Sequence, residues 1–236
     1  MTRESVCAIV PAFNEQESVG RVVTALLLYK VASLVVVVDD HSTDGTVRAA
    51  ATAGAQVVHN PSRRGKGNAV RAGLGVVREV DPAYVMFIDA DLGDCAMEMG
   101  TVFRPVEQGD AHMAVAGFAV SEGGGFGAAM RLARWGIQRL TGSELQFPLS
   151  GQRVMRAQSL WRVVDEFGLE PGFGLEVGLA VDWLRSGYAI VEVATGMEHV
   201  GPGATPAGFI HRARQFSAIA AALAARGGLT LRRGRG

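Results

Sequence analysis

The stretch Tyr84-Val85-Met86-Phe87-Ile88 runs directly into Asp89-Ala90-Asp91. A short β-branched and aromatic run bounded by turn chemistry predicts a buried strand, so both carboxylates fall at its carboxyl end, where open α/β sheets bind ligands. Two acids one residue apart at such an end suit a divalent cation that holds a diphosphate. Hard oxygen ligands favour Mg2+ or Mn2+, and these ions share their coordination with substrate phosphates. An isolated Asp-x-Asp is more often a solvated acidic turn, and its neighbours decide between the two.

Strand-like and helix-like segments alternate upstream of this strand. Val6 to Val10 is an apolar run ended by Pro11, and Ser18 to Leu28 has helical spacing behind Ser18 as a cap. Leu34 to Val38 is a β-branched run, followed by a helix over Thr43 to Ala53 with Ser42 or Thr43 as cap. Ala55 to Val58 and a Gly67 to Glu79 helix complete the series. This order predicts an α/β fold with a doubly wound, mainly parallel sheet whose loops converge on one edge.

Further strands are expected at Ala111 to Val120 and Tyr188 to Val193. Helices are expected at Met130 to Leu140, within the glycine-led segment Gly172 to Leu184, and at Gly208 to Arg226. Ser121 to Gly127 holds four glycines in seven residues and is expected to be a mobile loop.

The 236 residues are 48% hydrophobic, enough for one substantial core, beside which a second independent domain would be cramped. A single domain over residues 1–226 is expected, followed by a basic, disordered tail at 227–236. Acidic and basic residues balance at 23 each, which gives no field to steer the protein toward nucleic acid. Cys7 and Cys95 are too few for a disulfide framework or a zinc site, so a reducing, cytoplasmic setting is expected. No signal peptide opens the chain, and the apolar stretch Phe216 to Ala225 is too short to span a bilayer. Any membrane contact is expected to be peripheral, through Arg212, Arg214, Arg226, Arg232, Arg233 and Arg235, the only charges after Gly201.

Three further segments fall at the predicted ligand edge. Pro11-Ala12-Phe13-Asn14-Glu15 follows the first strand, where a carboxylate can accept from ribose hydroxyls. Asp39-Asp40-His41-Ser42-Thr43-Asp44-Gly45-Thr46 follows the second, with more acids than a helix cap requires. Arg64-Gly65-Lys66-Gly67-Asn68 sets one of only two lysines between glycines ahead of a helix, which suits a diphosphate as well as a solvated loop.

Taken together, the segments PAFNE (11–15), VVDDHSTDGT (37–46), RGKGNAV (64–70) and FIDADL (87–92) resemble the GT-A-type nucleotide-sugar glycosyltransferases of the broad family 2 group. The resemblance covers roughly residues 6 to 225. It implies a nucleoside site formed by Pro11, Ala12, Phe13, Glu15, Asp39, Asp40 and Ala90, with Lys66 near the base or diphosphate. Asp89 would face ribose or donor sugar, and Asp91 would ligate the metal with Asp89 beside it. Pro148 to Arg153, Pro171 to Leu179 and Glu198-His199 are similar to the bacterial glucosyl-3-phosphoglycerate synthases. That similarity implies Glu176 at the donor sugar and His199 in the metal shell. Glu176, Asp91 and Lys66 form the implied catalytic set. Without the family, His199 is more often an ordinary loop histidine, and Glu176 is either a helix-surface acid or, from its place after a glycine-rich turn, an acid facing a ligand.

Those synthases hold the acceptor phosphate with an Arg and a Thr where this chain has Gly127 and Ala129. The arginine-bearing helix and the strand at Tyr188 to Val193 also resemble polyprenyl-phosphate sugar transferases, which work at membranes. The implied reaction is metal-dependent transfer from a nucleoside diphosphate sugar, with UDP-glucose or a close relative as donor and a small anionic or lipid-phosphate acceptor. Homodimer formation is left open. The Glu-Asp pair that supplies a base in many inverting relatives is missing, so either the acceptor is already an anion or configuration is retained. A nucleotidyltransferase of similar fold and a non-catalytic nucleotide-sugar sensor are the competing readings. The first is disfavoured because Pro11 to Glu15 carries neither the glycines nor the cations of a phosphate loop.

Overall fold

The computed structural model describes residues 5–118, 127–197 and 206–233, and within the closing helix the side chains of 213–227. Seven strands form one sheet in the order β3-β2-β1-β4-β6-β5-β7. They are β1 (Val6–Ala12), β2 (Leu34–Asp39), β3 (Gln56–His59), β4 (Tyr84–Phe87), β5 (Met113–Gly117), β6 (Arg153–Arg156) and β7 (Ile190–Ala194). All neighbouring pairs are parallel except those of β6, which runs antiparallel to both β4 and β5. From β1 the chain winds outward to β2 and β3 and then returns to place β4 on the other side. That reversal opens a crevice at the carboxyl ends of β1 and β4.

Helices cover both faces: α1 (Val19–Leu28), α2 (Thr46–Thr52), α3 (Lys66–Val80), α4 (Met99–Gln108, entered through a 3-10 turn at Gly93–Glu98), α5 (Ala128–Thr141), α6 (Ala157–Phe167), α7 (Leu175–Arg185) and α8 (Pro206–Arg233). The pleat of β1 divides the core, because successive side chains point to opposite faces. Ala8, Val10 and Ala12 pack with α1 and α4, while Cys7 and Ile9 pack with α3 and α7. Burial pushes the Cys7 thiol up to about 11, so it stays an unreactive apolar group. A third cluster joins α5, α7 and α8 through Ile137, Val177, Val181, Ile219 and Leu223. No helix among the described residues is long and apolar enough to cross a membrane.

Several expectations shift. The second helix begins at Thr46, three residues after Thr43, because Asp44 accepts from the Thr46 backbone while Ser42 and Thr43 bond elsewhere. Ser18 occupies the cap position of α1, but its hydroxyl donates to Glu15 and caps nothing. The strand expected at Ala111 to Val120 is confined to Met113–Gly117, and Ala119, Val120 and the loop from Ser121 to Phe126 lie outside the described residues. Helical backbone takes in residues 227–233 of the segment expected as a disordered tail, since Arg226 is anchored and no proline follows to end α8.

Candidate active site

Two loops close the crevice on the β1 side by bonding to each other. Asn14 takes a left-handed turn at φ 55, which its short amide tolerates, and its side-chain oxygen accepts from the Thr43 amide at 2.8 Å. The Asn14 amide donates to Ser42 Oγ at 3.0 Å, and the Glu15 amide donates to Thr46 Oγ1 at 2.8 Å. The Ser42 hydroxyl, one of the two expected caps of α2, is therefore a rung between these loops, as is the hydroxyl of Thr46. Ala12 and Ala90 bury their side chains in the core, which leaves only their backbone to a ligand. Phe13 is 37% exposed with the Arg64 guanidinium 4.2 Å from its ring centre, a cation–π pair at the mouth of the β1 loop. Pro11 is half-buried at the end of β1.

The paired acids divide their work. Asp39 accepts from the Ser42 amide at 3.1 Å and meets His59 Nδ1 at 3.1 Å. Asp40 is buried, with Oδ1 on Asn60 Nδ2 at 2.6 Å and Oδ2 on the Gly65 amide at 2.8 Å. Asp40 thus fastens the loop that carries Lys66.

Lys66 is the first residue of α3, and its ammonium sits between two carboxylates. Nζ is 2.5 Å from Asp89 Oδ1 and 2.8 Å from Glu176 Oε1. Burial disfavours the ammonium, but Asp89 and Glu176 outweigh it and hold the lysine pKa above its ordinary value. Glu176 lies in the first turn of α7, where an acid suits the helix dipole, and its side chain is only 10% exposed. It faces this cluster and not solvent.

The sequence marks the segment Pro148 to Arg153 by resemblance but assigns no role to Gly151, Gln152 or Arg153, which belong to the same cluster. Because β6 runs in reverse, its leading loop arrives at the edge where β4 ends. Gln152 Nε2 donates to Asp89 Oδ2 at 2.8 Å. A Cβ on Gly151 would overlap Lys66 Nζ and Asp89, so glycine is what leaves room for the pair. Arg153, 1% exposed, donates to the carbonyls of Ser150 (2.9 Å), Pro148 (2.8 Å) and Glu176 (2.9 Å). Burial pushes its pKa down to about 10, which keeps it charged at neutral pH. It welds the β6 loop to the start of α7. Arg153→Met leaves three buried carbonyls unpaired and is expected to cost about 3–5 kcal/mol in urea unfolding.

The charge of the edge fits a hard divalent cation. Asp91 is exposed, and the Glu15 carboxyl is pushed up by burial and then by Asp91, Asp44 and Asp89 despite the hydroxyl of Ser18. Among the described residues no three ligating side chains close into a metal cage. An edge of that kind suits an ion that takes further oxygens from a diphosphate. His199 and Glu198 lie outside the described residues.

A doubly wound sheet with acids on both sides of its switch point and a lysine-bearing helix N-terminus is a GT-A (Rossmann-like) architecture. The chain matches the family model Glycosyl transferase family 2 over residues 7–164 and belongs to that family. It is 30% identical over 227 residues to the glucosyl-3-phosphoglycerate synthase of Mycolicibacterium paratuberculosis, covering 83% of this chain and 65% of that one. It is also 30% identical over 209 residues to the undecaprenyl-phosphate mannosyltransferase of Micrococcus luteus, covering 80% and 81%. The chain spans 63% and 65% of the length of the first curated relatives it matches. A crystal structure of glucosyl-3-phosphoglycerate synthase from Mycobacterium tuberculosis, in complex with Mn2+, UDP-glucose and phosphoglyceric acid, shares the fold. Its TM-score is 0.78 at 23% identity, with 95% of this chain and 80% of that one covered.

Proposed function

We propose that this protein transfers a hexosyl group, glucose or a close relative, from a UDP-linked donor to an anionic acceptor. The observation that carries the reading is Lys66 Nζ held between Asp89 and Glu176 at the carboxyl edge of the sheet. The bond from the sugar C1 to the diphosphate oxygen breaks with its electron pair leaving on the diphosphate, and an acceptor oxygen forms the new bond to C1. An acceptor that is already an anion needs no base, in keeping with the missing Glu-Asp pair.

Lys66 is placed to meet charge growing on the departing diphosphate. Glu176 stabilises the positive sugar centre, and Asp89, held by Gln152 and Lys66, orients donor hydroxyls. Asp91, with Asp89 and His199, would hold a Mg2+ or Mn2+, whose chemistry is to neutralise the leaving group. Phe13, Glu15 and Asp39 line the nucleoside end. The relative that binds Mn2+ and UDP-glucose supports the donor and the metal.

Two measurements test this. Purified protein with Mn2+ should slowly release UDP from UDP-glucose, and a non-catalytic sensor should not. Glu176→Gln should lower kcat by about 100-fold with little change in UDP affinity, because the charge it meets exists only in the transition state. An unchanged kcat would return Glu176 to a structural role.

For the acceptor, we favour a lipid phosphate over 3-phosphoglycerate. Gly127 and Ala129 begin α5 where the synthases' phosphate clamp is expected. The outer face of that helix exposes Arg131, Arg134, Arg139 and Trp135, the last 62% exposed, and the helix has no acid. A cationic face with an aromatic suits an anionic bilayer. The mannosyltransferase relative supports the lipid acceptor. The expected results are poor turnover of 3-phosphoglycerate and salt-sensitive sedimentation with phosphatidylserine vesicles. Rapid glucosylation of 3-phosphoglycerate would overturn the acceptor assignment.

A further inference from the structure

We propose that Arg226, on the closing helix, positions the Lys66 loop by gripping Glu170. The proposal rests on the donor reading above only in taking Lys66 as a donor-site residue.

Helix α8 lies in a trough cut into α7. Gly174 at the cap of α7 and Gly178 and Asp182 within it recur every four residues on one face, and Ala218, Ala222 and Arg226 recur likewise on α8. A Cβ on Gly174 would stand 3.0 Å from Ala222 Cβ, and one on Gly178 would stand 2.9 Å from Arg226 Cζ. Small residues thus seat the guanidinium deep in the molecule, where Arg226 is 5% exposed.

There it holds two acids. Nε donates to both Asp182 oxygens at 2.9 Å, Nη2 bonds Asp182 Oδ2, and Nη1 donates to Glu170 Oε1 at 2.6 Å and to the Ala222 carbonyl at 3.0 Å. Asp182 balances the charge of the guanidinium, and the apolar cluster of Val177, Val181, Ile219 and Leu223, with the bond from Arg185 to the Arg226 carbonyl, docks the helix. The bond to Glu170, whose side chain is 29% exposed, is surplus to both purposes.

What that surplus bond tethers is the backing of the donor loop. The Glu170 and Pro171 carbonyls press on the N-terminus of α3. A Cβ on Gly67 would overlap the Glu170 carbonyl, and one on Gly65 would stand 2.8 Å from the Pro171 carbonyl. Arg71, one turn further along α3, donates to the Leu169 carbonyl at 2.5 Å. Leu169 to Pro171 is therefore a strut, fixed to α8 at one end through Arg226 and bearing at the other on the turn from which Lys66 projects. Arg226 touches no reacting atom, so it is a positioning residue.

The test turns on Glu170→Ala, because Arg226→Ala would strand the buried Asp182 and destabilise the whole molecule. Glu170→Ala leaves the Asp182 pair and the docking of α8 intact. In the ligand-free protein, hydrogen exchange at the amides of residues 65–69 should quicken about tenfold while α7 keeps its protection. The dissociation constant for UDP with Mn2+ should rise by about tenfold, with Glu170→Gln restoring both values through its amide oxygen. In a Lys66→Met background the same Glu170→Ala change should add nothing to the UDP dissociation constant, since its route to the nucleotide is gone. Unchanged exchange at 65–69, or a full additive loss of UDP affinity in the Lys66→Met background, overturns the proposal. If the wild-type protein itself fails to bind UDP with Mn2+, the donor reading falls, and the exchange rates alone decide the role of Arg226.

Discussion

Lys66→Met is expected to lower kcat/KM for the donor by about 1,000-fold while the protein stays folded. Removing one half-buried cation that partners two acids leaves both uncompensated, and each loss compounds the other. Asp89 and Glu176 both lie within hydrogen-bond reach of the same nitrogen, so without it two carboxylates face each other across a partly buried crevice. They would repel each other and turn away from the donor sugar they are placed to orient. The departing diphosphate would lose its nearest protein cation at the same time, and one such donor is worth about 100- to 1,000-fold. Lys66→Arg should rescue little, because the larger guanidinium has to fit beneath Gly151, where even one added carbon finds no room. Steady-state kinetics on the two variants, with circular dichroism to establish folding, decide the matter. Activity within tenfold of wild type in Lys66→Met would remove Lys66 from the chemistry.

Helical pattern and strand composition made the first half of this fold legible. The runs at Val6, Leu34 and Tyr84 are apolar and β-branched because their strands are buried on both faces, and each ends in a loop that carries polar chemistry. Later elements broke those rules for physical reasons. Strand β6 reads Arg-Val-Met-Arg, and its first arginine is buried where a core residue was to be expected. Three carbonyls satisfy that charge, and they come from residues brought near only by folding. Helix α4 carries Pro105 in its interior, which reads as a break in sequence, and α6 was likewise not anticipated.

The candidate site divides in the same way. Lys66, Asp89 and Glu176 stand out in the sequence because each follows a strand or a glycine-led turn, and the structure brings all three together. Gln152 and Gly151 lie in the segment Pro148 to Arg153 that the resemblance marks, but nothing in that segment gives them a role. Their role comes from the reversed direction of β6, which a short strand flanked by charges does not announce. A glycine-polar pair just ahead of a strand was the available signal.

The second large effect sets two glycines of one helix against each other. Gly67 and Gly75 both lie in α3, and helix propensity alone predicts that alanine stabilises either by about 0.5–1 kcal/mol. At Gly75 that expectation should hold, since the position is exposed and an added Cβ meets nothing within 4 Å. The melting temperature of Gly75→Ala should rise by about 2 °C. At Gly67 the sign reverses. The Cβ would overlap the Glu170 carbonyl and stand 2.8 Å from the Pro171 carbonyl carbon. Backbone cannot rotate aside as a side chain does, so relief requires the strut to move, at the expense of the bond from Arg71 to the Leu169 carbonyl. Overpacking of this kind costs about 3 kcal/mol, or a fall of about 10 °C in melting temperature. The displaced strut should also free the Lys66 turn, so Gly67→Ala should weaken UDP binding even at temperatures where it is fully folded. Thermal melts of the two variants, followed by calorimetric titration of UDP with Mn2+ at 15 °C, test both halves. A stabilised Gly67→Ala with wild-type affinity would show that the carbonyls of Glu170 and Pro171 do not bear on the donor loop.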